Sequence, residues 1–382
     1  MRKIAIIGAS YLQMPLIERA KELGLETHVF AWECGDVGEK AADYFYPISI
    51  VEKEEILAKC KQIGIDGVCT IATDLGAITV NYVATALRLP GNGEECTKIS
   101  TNKHLMRCAF ERCGDPTPKS LCVSSKEDLN GVVLHYPVIV KPTDRSGSRG
   151  ITKLEDSAGL QDAIAASVSQ SFEKKAVVEE FILGQEYSVE CVSVCGEHHF
   201  LAMTQKFTTG SPHFIETGHL EPAPVTGKML EKVKKVVFHA LDSLKITTGA
   251  SHTELKIDQN GKIMLIEIGG RMGGDFIGSS LVQLSTGVDF VEAVIRIALG
   301  ETPNLEPKSV KRAAGVRFIF KNDDISAYER VRREHPEYLV YEDIREPDSS
   351  AVTDSSARFG AFLMAAPSVE DLIPYLPKTC GE

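Results

Sequence analysis

Short apolar runs alternate with amphipathic helical patterns along residues 1–90. Residues 3–8, 27–32 and 67–72 are apolar runs of strand length, and residues 12–23 carry a helical pattern between the first two. Strands separated by helices are typical of βαβ units. The pattern therefore predicts an N-terminal parallel sheet with helices packed against it.

The pattern changes after a turn-rich boundary at residues 89–96. Residues 100–114 begin with capping residues and carry an apolar helical stripe, and residues 228–245 form the clearest amphipathic helix. Two strand-like runs flank Gly184, and mixed β character begins at about residue 301. The chain is therefore predicted to be α/β, with further sheet structure after the N-terminal sheet.

The composition of the chain limits which classes of binding partner are expected. The 382 residues include 43% hydrophobic and 25% charged residues with a net charge of -11, which disfavours a general nucleic-acid or anionic-membrane surface. No apolar run approaches the roughly 20 residues that span a bilayer. The N-terminus has too few apolar residues for a signal peptide, and the ten cysteines form no C-x-x-C pair. We expect a cytoplasmic protein without nucleic-acid or membrane partners.

An apolar strand at residues 138–140 ends in Lys141 and leads into a loop with almost nothing to bury. The loop residues are small, hydroxylated or basic: Ser146, Gly147, Ser148, Arg149 and Gly150. Such a loop lets an anion approach the backbone closely. Taken alone, these residues fit either a phosphate-binding loop or a flexible surface loop.

A candidate metal site lies on a predicted hairpin. Asn260-Gly261 is the strongest short signal for a two-residue turn, and that turn would place Glu254 opposite Glu267, with Cβ atoms roughly 4.5–5.5 Å apart. Opposed like charges need compensation, and Mg²⁺ takes one or two carboxylates plus substrate phosphates. Lys256 could instead compensate the two negative charges, or both glutamates could point into water from an exposed sheet face. A different turn register would weaken the pairing of Glu254 with Glu267.

Several motifs in order resemble the ATP-grasp superfamily of ATP-dependent carboxylate–amine ligases. "TNKHLMR" looks like the helix bearing the first phosphate lysine, which maps to Lys103. "VIVKPTDRSGSRGI" looks like the strand bearing the second lysine, Lys141, and the glycine-rich lid. "HTELKID" and "LIEIGGRMGGD" look like the paired magnesium strands, mapping to Glu254 and Glu267, with Arg271 near the reacting acyl phosphate.

The resemblance also implies an adenosine site in "VEEFILGQEYSVE". It implies backbone contacts from Glu180 and Ile182 to the base and a contact from Glu186 to the ribose. The full implied ATP-binding set is Lys103, Lys141, Ser146, Gly147, Ser148, Gly150, Glu179, Glu180, Phe181, Ile182 and Glu186. Lys141 and Arg271 are implied to be catalytic.

The implied fold is an ATP-grasp fold of three parts. A Rossmann-like domain would span residues 1–95, an ATP-grasp domain residues 96–300 with a lid at about 115–185, and an α+β subdomain residues 301–382. The implied cofactors are ATP and Mg²⁺, with Mn²⁺ as a substitute metal. Family habit implies a homodimer. One departure concerns the metal: many relatives carry Asn two positions after the second glutamate, and this chain has Gly269.

The implied reaction joins a carboxylate to an amine through an acyl phosphate, and the closest resemblance is to the L-amino-acid (dipeptide-forming) ligase branch. Residues 205–224 are predicted to be an irregular loop that lines the acceptor site. In that loop Glu216 could bind an α-ammonium group, and His219 could orient it or act as base; both residues could instead only pin the loop. Arg271 completes the predicted substrate-binding set.

Other functions stay open at this stage. A purine-biosynthetic or carboxylase-type relative would favour a basic cluster near the C-terminus, where Lys311, Arg312 and Arg317 occur. A nicotinamide-dependent oxidoreductase would use residues 1–90, but only Gly8 of the G-x-G-x-x-G pattern is present there. A non-catalytic ATP-binding regulator is the third alternative.

Overall fold

The computed structural model describes three sheets and the helices that cover them. It describes residues 1–147, 149–212, 214–308, 311–347 and 354–378, apart from the side chain of residue 356. The strands are β1 (Lys3–Ile7), β2 (Glu26–Phe30), β3 (Tyr44–Tyr46), β4 (Gly67–Cys69), β5 (Ser120–Val123), β6 (Val138–Pro142), β7 (Thr152–Leu154), β8 (Ala176–Glu180), β9 (Gln185–Val194), β10 (Glu197–Thr208), β11 (Glu216–Glu221), β12 (Gly249–Ile257), β13 (Ile263–Gly269), β14 (Ala313–Phe318), β15 (Leu339–Ile344) and β16 (Gly360–Ala366).

The helices occur between these strands as the sequence pattern predicts. They are α1 (Met14–Glu22), α2 (Val37–Ala41), α3 (Lys53–Ile63), α4 (Asp74–Leu87), α5 (Glu94–Thr101), α6 (Lys103–Cys113), α7 (Leu160–Gln170), α8 (Gly227–Ser243), α9 (Val282–Thr286), α10 (Phe290–Ala298), α11 (Asn322–Glu334) and α12 (Val369–Leu372). A short π-helix, Ile277–Leu281, leads into α9. No helix in the described ranges is long and apolar enough to cross a bilayer.

The N-terminal sheet has four parallel strands in the order β3-β2-β1-β4. The predicted parallel sheet is therefore confirmed. The turn after β1 is filled by Gln13, whose Oε1 accepts hydrogen bonds from the backbone and side chain of Ser10 and whose Nε2 donates to the carbonyl of Ile71 at 2.8 Å. A Cβ added at Gly8 would lie 2.9 Å from the Gln13 side chain. This turn is closed by protein atoms.

The second sheet forms the lid region and has the antiparallel order β5-β8-β6-β7. Its inner face packs on α7 around buried Val140, Val178 and Ile164. Lys141 lies within β6 and is buried, with 5% exposure. Gly150 lies at the base of the lid loop, where its carbonyl accepts a 2.6 Å hydrogen bond from Ser167.

The third sheet has eight strands in the order β13-β12-β9-β10-β11-β14-β16-β15. It joins the central part of the chain to its C-terminal strands, so it runs across the predicted boundary at residue 300. The predicted irregular loop at residues 205–224 is wrong in extent, because β10 ends at Thr208 and β11 begins at Glu216.

The hairpin that carries both predicted metal ligands has an unexpected turn. Ile257 pairs with Ile263, so the loop contains five residues rather than the predicted two. Asp258 Oδ1 closes this loop by accepting hydrogen bonds from the backbone amides of Asn260 and Lys262 at 2.9 and 2.8 Å. The predicted two-residue turn is therefore wrong.

A β-bulge later in the hairpin restores the predicted pairing. Leu255 pairs with Leu265, whereas Glu254 pairs with Glu267, which leaves Ile266 as the extra residue. The carbonyl of Ile266 accepts a 2.6 Å hydrogen bond from Arg107. Glu254 and Glu267 are cross-strand neighbours as predicted, although the register is set by a loop and a bulge together.

Candidate active site

A cavity of about 830 Å³ is lined by strand residues of the second and third sheets and by residues that follow β1 and β4 of the first sheet. Its size is in the range of ligand pockets that enclose a substrate. The predicted site residues that line it are Lys103, Lys141, Ser146, Gly147, Glu179, Glu180, Phe181, Ile182, Glu186, Glu216, His219, Glu254, Glu267 and Arg271. Gly150 does not line it, and Ser148 lies outside the described residues.

The first lysine is positioned by a helix start. Asn102 caps α6 by accepting a 3.1 Å hydrogen bond from the amide of Leu105, so Lys103 is the first helical residue. Lys103 Nζ lies 2.9 Å from Glu267 Oε1 and 2.7 Å from the carbonyl of Arg145 in the lid loop. This ammonium group therefore connects the lid with one predicted metal ligand.

The second lysine is positioned by a buried carboxylate. Glu179 Oε2 lies 2.9 Å from Lys141 Nζ, and both Glu179 oxygens accept hydrogen bonds from Arg107 at 2.8 and 3.2 Å. Burial alone would raise the pKa of the Glu179 carboxyl, but Arg107 and then Lys141 lower it to about 2. Two cations share one anion, so the cluster keeps a positive charge that a phosphate can meet.

The two opposed glutamates are each compensated by a lysine. Glu254 Oε1 lies 2.6 Å from Lys206 Nζ, while Glu267 meets Lys103. Burial alone would raise the pKa of Glu254, but Lys206 and then His252 lower it well below its ordinary value. The compensating lysine is Lys206 rather than the predicted Lys256, because Lys256 Nζ lies over the Phe181 ring instead, 4.9 Å from its centroid.

The side chains at this point can hold a divalent metal only if a bound phosphate and water complete its coordination. Within the ranges that the structure describes, no group of three or more His, Cys, Asp or Glu side chains is placed to hold a metal ion. Two facing carboxylates match the protein share of a Mg²⁺ site that is completed by phosphate oxygens and water. Glu254 and Glu267 are therefore the residues that would hold the metal.

Lys206 is the centre of the cavity's charge network. Its Nζ lies 3.0 Å from Glu186 and 3.5 Å from Glu216, in addition to the Glu254 contact. Burial would lower the pKa of this lysine, but Glu254, Glu186 and Glu216 raise it well above its ordinary value. Lys206 therefore stays protonated. It holds together the three carboxylates that are predicted to bind the ribose (Glu186), the ammonium group (Glu216) and the metal (Glu254).

Arg271 is held by a carboxylate from the N-terminal part of the chain. Its Nε lies 2.9 Å from Asp74 Oδ1 and its Nη2 lies 3.3 Å from Asp74 Oδ2. This pair also explains Gly269: a Cβ there would lie 3.0 Å from Asp74 Oδ1 and 3.1 Å from Arg271 Nε. The space that an asparagine side chain would need is taken by the Asp74–Arg271 pair.

The predicted acceptor residues are both in the cavity, but their environments differ. Glu216 Oε2 lies 3.0 Å from Arg358 Nη2. His219 is fully buried, and neither ring nitrogen has a hydrogen-bond partner among the residues the structure covers. Burial, and then Lys206, lowers the pKa of His219 to about 3. A histidine with that pKa is neutral at pH 7 and is poorly suited to act as general base.

A second histidine was not predicted. His252 Nδ1 is hydrogen-bonded to Glu190, whose other oxygen accepts a 2.9 Å hydrogen bond from the amide of Gly273. Burial would lower the pKa of His252, but Glu190 raises it to about 9. The His252 Nε2 atom lies 3.4 Å from Glu254, so the imidazolium supports that carboxylate from behind.

Phe181 lines the part of the cavity that the resemblance assigns to adenosine. Lys153 Nζ lies 4.3 Å from the Phe181 ring centroid, and the Phe214 ring lies 5.7 Å from it. The amide of Glu180 donates to the carbonyl of Lys119 at 3.0 Å. A contact from Glu180 to a base would therefore use its carbonyl oxygen.

The basic cluster that a purine-type enzyme would favour lies elsewhere. Lys311, Arg312 and Arg317 do not line the cavity. Arg317 is paired with Asp324 at 2.8 Å, and Arg312 donates to the carbonyl of Ala365. These side chains support the C-terminal strands.

Sequence reasoning missed three cations of the site. Arg107 follows Lys103 by four residues and so lies on the same helix face, which is a signal that could have been used. Lys206 and Thr204 lie on the same face of β10, but no local pattern in the sequence predicts that Lys206 contacts three carboxylates. Arg358 follows a segment with no recognisable motif, and its position at the cavity depends on how the C-terminal strands fold back.

Comparisons with known proteins agree with this geometry. Residues 134–279 match the model of the ATP-grasp domain. Alanine–anticapsin ligase of Bacillus subtilis is 27% identical over 63% of this chain and 58% of its own length. An uncharacterised Sinorhizobium fredii protein, y4rH, is 26% identical over 70% of this chain and 56% of its own. The chain thus spans a little over half the length of these curated relatives.

Solved structures extend the likeness to almost the whole chain. The L-amino acid ligase of Bacillus licheniformis has a TM-score of 0.82 and 25% identity, and the match covers 98% of this chain and 96% of that one. The phosphoribosylglycinamide synthetase of Anaerococcus prevotii has a TM-score of 0.76 and 22% identity over the same shares. The α/β ATP-grasp fold is confirmed, and residues 134–279 match the ATP-grasp domain within it.

Proposed function

We propose that this protein is an ATP-dependent carboxylate–amine ligase that acts on an amino acid. The observation that carries the proposal is the convergence of two lysines, two facing carboxylates and one arginine on a single cavity: Lys103, Lys141, Glu254, Glu267 and Arg271. Two of the ligases among the relatives support the substrate class, because their names give alanine with anticapsin and L-amino acids as what they act on.

The reaction proceeds in two balanced steps. A carboxylate oxygen of the first substrate attacks the γ-phosphorus of ATP, which forms an acyl phosphate and releases ADP. The amine then attacks the acyl carbon, the carbon–oxygen bond breaks, phosphate leaves, and a proton is lost from the new amide nitrogen. Because phosphate is the leaving group, no serine or cysteine nucleophile is required.

The residues of this chain have separate tasks in those steps. Lys141 and Lys103 neutralise the phosphoryl group as charge moves onto its oxygens. Arg271, fixed by Asp74, stabilises the acyl phosphate and the oxyanion that forms during amine attack. Mg²⁺ held by Glu254 and Glu267 would supply further charge neutralisation between phosphates.

The substrate amino acid is proposed to bind at Glu216. The Glu216 carboxylate accepts hydrogen bonds from the ammonium group of the substrate. Neutral His219 accepts another through a ring nitrogen and so orients that group. The lid loop that contains Ser146 and Gly147 covers the phosphates and excludes water from the acyl phosphate.

The other functions have weaker support. The turn after β1 is filled by Gln13, which removes the space a dinucleotide pyrophosphate would need. Two of the basic residues that would favour a purine-type substrate, Arg312 and Arg317, are engaged outside the cavity. An ATP-binding regulator would not need Arg271 held at the γ-phosphate end.

The test is phosphate release from ATP with mixed pools of amino acids, followed by the mass of the product. Release that needs Mg²⁺, an amino acid and an amine, and that yields a condensed mass, is the expected result. Glu267→Gln should lower the rate by about 100-fold or more, since it removes a ligand that stabilises transferring charge. Glu197→Gln, in a side chain that is 79% exposed in the β9–β10 turn, is the matched control.

Two outcomes would contradict the proposal. ATP binding without release of phosphate across the pools would favour the regulator. Release that Glu267→Gln leaves unchanged would remove the metal-site assignment.

A further inference from the structure

The end of the cavity beyond Glu216 is built from aromatic rings that the proposed chemistry does not use. Phe276 lies between Tyr11 and Tyr341, with ring centroids 6.5 and 5.3 Å away, and 6.5 Å from Phe318. All four rings line the cavity. They come from the N-terminal turn, the segment after β13 and two C-terminal strands, so three distant parts of the chain meet at this point.

Two of the rings are left open to solvent at the cavity mouth. Tyr11 is 56% exposed and Tyr341 is 43% exposed, whereas Phe318 is buried beneath them. Large apolar surface left open at a cavity edge is characteristic of a binding site.

The backbone that carries Phe276 is held in an unfavourable conformation. Asp275 and Phe276 have φ angles of 50° and 66°, and a bulky residue in that region is a genuine outlier that persists only where the surroundings impose it. Asp275 is fixed by Arg358 at 2.9 Å, and the carbonyl of Phe276 accepts hydrogen bonds from Ser280 and Leu281. Glycine would relieve the strain, yet the position carries a ring aimed at the cavity.

The ring cluster is continuous with the proposed ammonium site. Arg358 pairs with Glu216 at 3.0 Å and with Asp275 at 2.9 Å, and its guanidinium lies 3.8 Å from the Phe318 ring centroid. One side chain therefore joins the carboxylate proposed for the ammonium group to the Phe318 ring and to Asp275, the residue before Phe276.

The charges beside the rings are already compensated. Arg358 is shared by two carboxylates, and Arg345 lies 3.7 Å from Asp343. An apolar side chain placed among the rings does not leave a charge without a partner, whereas a charged side chain would compete with pairs that exist.

We propose that Tyr11, Phe276, Phe318 and Tyr341 form a side-chain subsite that selects an aromatic or large aliphatic amino acid. The inference rests on the proposed ligase function and adds the class of side chain that the site takes. In a hydrophobic pocket, one methylene more or less on the substrate changes kcat/KM by about 10–200-fold. Leucine and phenylalanine should therefore exceed alanine in kcat/KM by at least tenfold.

The test uses the full chain with ATP, Mg²⁺ and hydroxylamine as the amine, and measures hydroxamate from alanine, valine, leucine, phenylalanine, glutamate and lysine. Tyr11→Ala should reduce the leucine-to-alanine ratio by about tenfold without changing the KM for ATP. Tyr44→Ala is the matched control, because Tyr44 is 50% exposed in β3 and lies outside the cavity lining. Phe276→Gly should also lose the preference while keeping or raising the thermal midpoint, since it relieves the strained φ.

Calorimetric binding of the same amino acids, with a non-hydrolysable ATP analogue present, makes the subsite testable without turnover. Leucine and phenylalanine should bind more tightly than alanine, and Tyr11→Ala should abolish the difference. That result supports the subsite even if no hydroxamate forms and the proposed reaction is wrong. Equal binding of all six amino acids, or a preference for lysine or glutamate, would overturn the subsite and leave the ligase reaction standing if hydroxamate forms.

Discussion

Two cations at the reacting end of the cavity are each paired with a carboxylate. Lys103 is paired with Glu267, and Arg271 with Asp74. Buried ion pairs add little net stability, because the desolvation of both ions offsets their attraction. Their value here is that they hold long side chains at fixed points, so that phosphate and acyl oxygens meet donors whose positions are already set.

Gly269 is predicted to be required for the Asp74–Arg271 pair. Gly269→Asn would restore the residue that many relatives have, but its Cβ would meet Asp74 Oδ1 at 3.0 Å and Arg271 Nε at 3.1 Å. We expect kcat/KM to fall by about 100-fold, as for other small displacements of catalytic groups. Steady-state phosphate release measures this.

The matched control for that substitution is Gly196→Asn. Gly196 has a φ of 84° in an open turn with no atom within 4 Å of an added Cβ, and asparagine tolerates such angles. Full activity in both variants would show that the Asp74–Arg271 pair is dispensable.

A buried carboxyl away from the cavity is predicted to make stability depend on pH. Burial raises the pKa of Glu221 to about 7, although hydrogen bonds from Ser285 and Thr204 lower it in part. The folded chain therefore keeps a proton that the unfolded chain loses between about pH 4.5 and 7. Stability contributed by this proton is present below that window and is lost as the pH rises through it.

Glu221→Gln should remove this dependence. The free energy of unfolding of the variant, relative to the natural chain, should rise by about 2–3 kcal/mol between pH 5 and pH 8. Urea unfolding at the two pH values measures the change, with Glu197→Gln as a control for loss of a carboxylate. A difference that does not vary with pH would contradict the assignment of Glu221.

Residues that carry a local motif could be predicted from the sequence, and residues that act across the fold could not. Lys141 ends an apolar strand before a small-residue loop, and Glu254 and Glu267 flank a hairpin signal. The resemblance implies that Glu179 contacts ATP, but its neighbours Arg107 and Lys141 come from two other elements. No sequence spacing records such a contact.

At the scale of elements, the hairpin shows how a correct pairing can follow from an incorrect turn. The dipeptide Asn260-Gly261 predicted a two-residue turn, but Asp258 closes a five-residue loop. The bulge at Ile266 then returns the strands to the predicted register, because Arg107 takes the carbonyl that the bulge frees. The hydrophobic alternation specified which faces meet, whereas the turn depended on side-chain bonds.

The start of α6 is predicted to control the phosphate lysine. Asn102→Ala removes the acceptor for the Leu105 amide, so we expect a loss of about 1 kcal/mol in stability. Because Lys103 is the first helical residue, the KM for ATP should also rise several-fold. Thermal unfolding and ATP-dependent kinetics measure the two effects.

Asn102→Ser separates capping from other roles of this residue. Serine also caps helices well, but it cannot donate to Glu173 as the Asn102 amide does at 2.8 Å. Near-natural kinetics in the serine variant, with loss in the alanine variant, would support capping. Equal loss in both would assign the effect to the Glu173 contact.

At the scale of the whole molecule, the cavity exists because three sheets meet. The eight-stranded sheet places β11 beside β14, although β12, β13 and helices α8 to α10 separate these two strands in the chain. The alternation of strands and helices predicted the N-terminal sheet, yet the joining of β11 to β14 is a long-range pairing without a local signal. For that reason the motifs predicted the site's chemistry better than its shape.

The central claim is that phosphate leaves from an acyl phosphate, and isotope transfer tests this most directly. The amino acid substrate would carry ¹⁸O in both carboxylate oxygens, and the released phosphate would be analysed by mass during amide formation. One ¹⁸O in each phosphate is predicted, because the carboxylate oxygen that attacks phosphorus departs with it. Unlabelled phosphate, or label in AMP, would contradict the account.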